Sequence, residues 1–185
     1  MNISKIKQLL TSNEVSLHPG LSDETIHTIE TFYQFRFPPD LRQLLSQVQP
    51  TGRGFPIWGD FSKRGIALMQ QYLNAPLEGI LFDIQYNSFW YPAWGERPAN
   101  HQAAQEIARQ QYSQLPKLIP IYGHRYMPTE PHEVGNPVLS VHQTDVIPYG
   151  VDLEDYVQIE FGDKLYTDMQ FEKIKHIRFW LELDS

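Results

Sequence analysis

Two adjacent prolines, Pro38 and Pro39, stand between two helical patterns and keep them from joining into one rod. Proline has no amide hydrogen to donate, and it pushes the residue before it out of the helical region. Upstream, Leu21-Ser22-Asp23-Glu24 reads as a helix start. Ser22 can cap, the two acids favour the positive helix end, and Leu21 can staple onto Ile26. The apolar face continues through Ile29, Phe32 and Tyr33. Downstream, proline is tolerated in a first turn. Leu41, Leu44, Leu45 and Val48 then give a second helix its apolar stripe, and Pro50 and Gly52 end it.

The rest of the chain divides into a helical middle and a strand-rich end. Ile3 to Leu10 has helical spacing over a short length. Gly52 to Asp60 reads as a loop holding Phe55 and Trp58, and residues 61–74 as a third helix with Gly65 as a weak point. Gly79 to Ile84 is an uninterrupted apolar run but for Asp83, which predicts a buried strand. Phe89 to Gly95 reads as an aromatic turn. Asn100 can cap a helix over Gln102 to Gln114, stopped by Pro116. Leu118 to Tyr122, Val138 to His142 and Val146 to Tyr149 predict strands, and Asp152 to Phe161 a short helix. Ile174 to Leu183 suits either helix or strand. Early helices followed by several strands imply an α+β fold with a mostly antiparallel sheet, and the 185 residues fit one domain.

Composition limits the chemistry. There is no cysteine, so disulfides, thiolate zinc sites and a cysteine nucleophile are excluded. No signal-peptide pattern opens the chain, and no apolar run is long enough to span a membrane, so a soluble, cytoplasmic protein is expected. The formal net charge is −7 and unevenly spread. From Tyr126 to Asp163 there is no lysine or arginine, while Glu130, Glu133, Asp145, Asp152, Glu154, Asp155, Glu160 and Asp163 all lie there. Such a surface repels nucleic acid and attracts basic proteins. A plain solvated rim has the same composition.

No motif declares an active site. His124, His132 and His142 with Asp145 offer enough ligands for a metal, but their spacing matches no metal motif. Ser140, His142 and Asp145 contain the residue types of a triad, without a G-x-S-x-G elbow. Asp60, Glu78 and Asp83 could supply an acid–base pair only if the fold brings two of them together. No glycine-rich phosphate loop is present, so no nucleotide or other cofactor is implied. The loop aromatics Trp58, Trp90, Tyr91 and Trp94 suit either interface anchors or plugs at the core edge.

Gly20-Leu21-Ser22, Ile26, Ile29-Glu30, Tyr33 and Phe37-Pro38-Pro39-Asp40-Leu41 together resemble the N-terminal signature of the SUKH superfamily, also called the Smi/Knr-like family. Trp58, in Gly54-Phe55-Pro56-Ile57-Trp58, falls where the family places a tryptophan. Leu118-Ile119-Pro120-Ile121 and Gly135-Asn136-Pro137-Val138 resemble its later strands. The resemblance runs from about residue 20 to 160, and its glycine-aspartate step is replaced here by Gly135-Asn136. It implies a curved, mostly antiparallel sheet flanked by helices, no general catalytic residues, and a function in binding proteins. Bacterial members resemble immunity proteins that block a toxin, often a nuclease, and eukaryotic relatives act as adaptors. On this reading Asp145, Asp152, Glu154 and Asp155 are the electrostatic candidates for a basic toxin domain. Tyr91, Trp94 and Tyr149 are the anchors beside them. The alternatives are an adaptor for an endogenous partner and a small metal-dependent hydrolase built on the His124–His142 region. Exposed aromatics suit a homodimer as well as a hetero-complex.

Overall fold

The computed structural model describes residues 1–183. Its α+β architecture has six α-helices and two antiparallel sheets, neither closed. The helices are α1 (Ile3–Ser12), α2 (Asp23–Tyr33), α3 (Pro39–Gln47), α4 (Lys63–Tyr86), α5 (His101–Tyr112) and α6 (Leu153–Phe161). Strands β1 (Ser16–Pro19) and β2 (Val48–Thr51) pair with each other. Strands β3 (Leu118–Tyr122), β4 (Arg125–Pro128), β5 (Val138–His142) and β6 (Asp145–Gly150) form a meander in sequence order.

The local signals at the helix starts act as expected. The side chains of Ser22, Ser62, Asn100 and Asp152 accept the backbone N–H three residues on, at the starts of α2, α4, α5 and α6. Pro39 opens α3 in its first turn. Between the two helices Phe35 and Phe37 turn inward and meet Trp58 edge-on, with Phe37–Trp58 centroids 4.9 Å apart. Trp58 is thus a core plug, fully buried.

The four-stranded sheet has two buried faces. Because successive side chains of a strand point to opposite sides, Ile119, Met127 and Val138 join a cluster with α1, α2, α3 and α6. Leu118, Tyr126, Leu139 and Val141 join a second cluster with α4, α5 and the C-terminal segment. Burial on both faces explains why these strands read as nearly continuous apolar runs rather than alternating ones.

Three expectations differ from the structure. Gly79 to Ile84 is the last part of α4, a helix of 24 residues that runs straight through Pro76. A four-to-eight-residue apolar run cannot be told from a buried helical stretch by periodicity alone. Residues 174–183 are neither helix nor strand. They form turns that bury Ile177, Phe179 and Trp180. Strands β1, β2 and β4 were absent from the sequence reading, being four residues each. Each of them carries a proline, which depletes strand signals.

Candidate functional site

Helix α4 meets the sheet at a specific junction. Pro76 cannot donate to the carbonyl of Tyr72, the acceptor four residues back. The phenol of Tyr126, on β4, donates to that carbonyl instead at 3.0 Å. One turn later Gly79 abuts the β5–β6 turn: a Cβ there would sit 2.6 Å from the Cα of Gln143. Gln143 itself adopts φ 57°, as a two-residue hairpin turn requires. Another turn on, the buried carboxylate of Asp83 accepts from the N–H and hydroxyl of Thr144 at 2.9 and 2.6 Å, and from Asn87 at 2.5 Å. These three contacts lock the helix to the hairpin ends.

The junction leaves an open groove of about 430 Å³. Its floor is Leu68, Tyr72, Ala75 and Pro76 of α4 with Tyr126 and Val141 of the sheet. Gln71, His124, His142 and Gln143 also line it. His124 follows Gly123, whose φ of 54° opens the β3–β4 turn.

Behind His124 lies Arg125, only 11% exposed in its side chain. Its guanidinium sits 3.9 Å from the centroid of the Tyr149 ring. Nε donates to Glu160 at 3.2 Å and Nη1 to the Ser140 hydroxyl at 2.8 Å. Nη1 also contacts Nε2 of His124. A guanidinium can only donate, so this contact favours the tautomer in which Nε2 accepts and Nδ1 carries the proton. Burial and the adjacent Arg125 both hold the His124 pKa below the usual histidine value, against a smaller opposing pull from Glu160. The lowered pKa favours the neutral ring, which carries one N–H donor.

The sequence-predicted residues are distributed over several places. Tyr149 underlies Arg125 and stacks on Tyr166 at 5.4 Å. Asp152 caps α6 through the N–H of Asp155. Glu154 accepts from the N–H of Asn2 at 2.7 Å, and Asp155 holds Lys164 and the N–H of Val151. Asp145 is exposed, opposite His142 across the hairpin. Tyr91 and Trp94 lie apart from these, in the second apolar cluster: Trp94 stacks on Phe179 at 5.5 Å and the Tyr91 phenol bonds Glu182. Tyr149 belongs to the first cluster, so the anchors do not form one set beside the acids.

The catalytic arrangements do not assemble. The Ser140 hydroxyl is engaged by Arg125 rather than by His142. Asp83 is saturated by Thr144 and Asn87. Glu78 pairs with Arg109 at 4.0 Å, and Asp60 holds the N–H of Ser62 before α4. Asp60 and Glu78 are separated by four helical turns. Glu78 and Asp83 are five residues apart, on different faces of α4. Among the described residues no group of three or more His, Asp or Glu side chains is placed to hold a metal. His124 and His142 share the groove, while His132 lies by Gln34 and Arg36.

Comparison with known family models, curated proteins and solved structures returns no match. The functional reading therefore rests on this geometry and on the residues themselves.

The groove and the outer face of α4 depend on the helix continuing past residue 74, where the sequence reading ends it. Leu68, Tyr72, Ala75, Gly79, Phe82 and Tyr86 repeat at spacings of four and three. That pattern, carried past Pro76, is the signal that would have found both. Phe82 and Tyr86 are exposed with their rings 4.7 Å apart, beside Glu78 and Arg109. The arrangement offers apolar surface with directed hydrogen-bond donors, a pattern suited to recognition. No helix is long and apolar enough to cross a membrane among the described residues.

Proposed function

We propose that this chain is a non-catalytic protein-binding module of the SUKH type. In this reading it is an immunity protein that binds and neutralises a toxin domain. The observation that carries the reading is the outer face of α4. Leu68, Phe82 and Tyr86 are 46%, 45% and 69% exposed there. Between Ile66 and Tyr86 the only exposed charge is Glu78. An exposed apolar, aromatic stripe poor in charge is the composition of interface cores.

The partner class follows from charge. Glu160, Asp155 and Glu133 are paired with Arg125, Lys164 and Lys175, so the anionic surface is smaller than the sequence suggests. Glu130, Asp145 and Asp163 are exposed and carry no ion pair among the described residues. They bias encounter toward a basic protein such as a nuclease toxin, whose phosphate-binding surface they would complement. The Ser22 and Pro38-Pro39 signature supports the family assignment independently of the surface.

The test is co-purification of the tagged protein with products of adjacent genes and the soluble proteome, at low and moderate salt. A Phe82→Ser/Tyr86→Ser variant and an Asp145→Lys variant run in parallel. A basic toxin domain held by the native protein, lost with the double variant and weakened by the charge reversal, is the expected result. An endogenous partner lost in the same way would move the assignment to an adaptor. Partners retained equally by all three proteins would remove α4 as the binding face.

A further inference from the structure

The groove beside α4 differs chemically from the surface around it. The chain carries 22 acidic residues, yet none lines this groove. Its walls are mainly apolar, and its polar groups are amides, imidazoles and the phenols of Tyr72 and Tyr126, all of which can donate hydrogen bonds. We propose that the groove is a binding site for a small apolar molecule ended by a carboxylate, such as an arylalkanoic acid. The apolar body rests on Leu68, Ala75 and Tyr126, and His124 donates to the carboxylate. This site shares Leu68 with the protein-binding face, but ligand binding is read directly and stands or fails separately from that reading.

Four observations lead to that ligand class. The volume, about 430 Å³, lies within the range of small-molecule pockets, roughly 300–1,000 Å³. The Arg125 contact favours the His124 tautomer with its proton on Nδ1, and Nδ1 has no protein partner among the described residues. A ready donor at the edge of an apolar groove calls for an acceptor on the ligand. Arg125 stands one hydrogen bond behind that donor, so a carboxylate would complete a chain in which each bond polarises the next. Glu160 already neutralises Arg125, so selection comes from directed donors rather than from net charge. A cationic ligand, by contrast, would find no carboxylate in the lining to pair with. The walls are also held in place before binding by Tyr126 on the Tyr72 carbonyl and by Asp83 on Thr144, which reduces the ordering cost.

The experiment is a titration of isotope-labelled protein at neutral pH, followed by amide chemical shifts. Three probes share one body: 3-phenylpropionate, 3-phenylpropan-1-ol and 3-phenylpropylamine, each at millimolar concentration. The acid is expected to give saturable shifts centred on Gly79, Gly123 and Gln143. Charge-assisted bonding predicts that it binds about ten-fold more tightly than the alcohol, with the amine weaker still. His124→Ala should bring the acid down to the level of the alcohol and leave the alcohol unchanged. His124→Gln, which keeps an N–H donor, should retain part of the preference. His124 is an exposed turn residue, so both variants should fold. The amine binding as tightly as the acid would overturn the proposal. So would shifts that do not saturate, or an acid-to-alcohol preference that survives His124→Ala.

Discussion

One phenol offsets the hydrogen bond that Pro76 takes from α4. In Tyr126→Phe the Tyr72 carbonyl loses the phenol that replaces the missing proline N–H. A hydrogen bond of this kind contributes about 0.5–1.5 kcal/mol net, and more where the abandoned carbonyl stays dry. With a urea m-value of about 2 kcal/mol/M, a loss of about 1 kcal/mol lowers the unfolding midpoint by about 0.5 M. The informative measurement is the same substitution in a Pro76→Ala background. Alanine restores an N–H four residues after Tyr72, so the carbonyl keeps a donor when the phenol is removed. Tyr126→Phe should then cost less than half as much, a coupling of at least about 0.5 kcal/mol. Urea denaturation of the four proteins, with m unchanged across the set, reads this directly. An equal cost in both backgrounds would refute the reasoning, because the phenol would then be unconnected with the proline.

Further predictions follow from the same region. Gly79→Ala should destabilise by about 1 kcal/mol or more, although alanine favours helix by about 1 kcal/mol, because its Cβ would meet the Gln143 backbone at 2.6 Å. A raised melting temperature would show that the hairpin gives way freely. Arg125→Gln should raise the titration midpoint of His124, followed by NMR, since it removes a cation that depresses it while Glu160 remains. A midpoint that stays or falls would mean that burial alone sets it. Burial pushes the Tyr126 phenol up to about 12 and raises Tyr156 well above its ordinary value. The unfolded chain releases these protons near pH 10, before the folded one does. Stability is therefore complete below pH 10 and falls as pH rises toward the folded values, by up to roughly 1.4 kcal/mol per pH unit for each group. Unfolding midpoints that stay level through that window would contradict the burial of both rings.

Much of the α+β organisation was legible from short-range signals. Ser22, Asn100 and Asp152 marked helix starts because capping is a contact over three residues, and each side chain makes it. The candidate site was far less legible. Asp155 and Glu160 read as free charge in a segment without cations, but their partners Lys164 and Arg125 lie outside it, at 164 and 125. Tyr91 and Trp94 read as loop anchors. Their stacking on Phe179 and bonding to Glu182 join positions about ninety residues apart, and no window of sequence contains both.

The sequence by itself determined what local chemistry can specify. Pro38-Pro39 separated two helices, caps placed their starts, apolar runs marked three strands of the main sheet, and the lack of cysteine removed thiol chemistry. Only the tertiary structure decided that α4 survives Pro76, that Arg125 gathers Glu160, Ser140, Tyr149 and His124, and that a groove without acids opens between α4 and the sheet. The physical reason is range. A cap or a proline acts on residues within one turn, whereas the Tyr126 bond to Tyr72 spans 54 positions and the Asp83 bond to Thr144 spans 61. Such contacts exist only after the sheet has brought distant strands against one face of the helix.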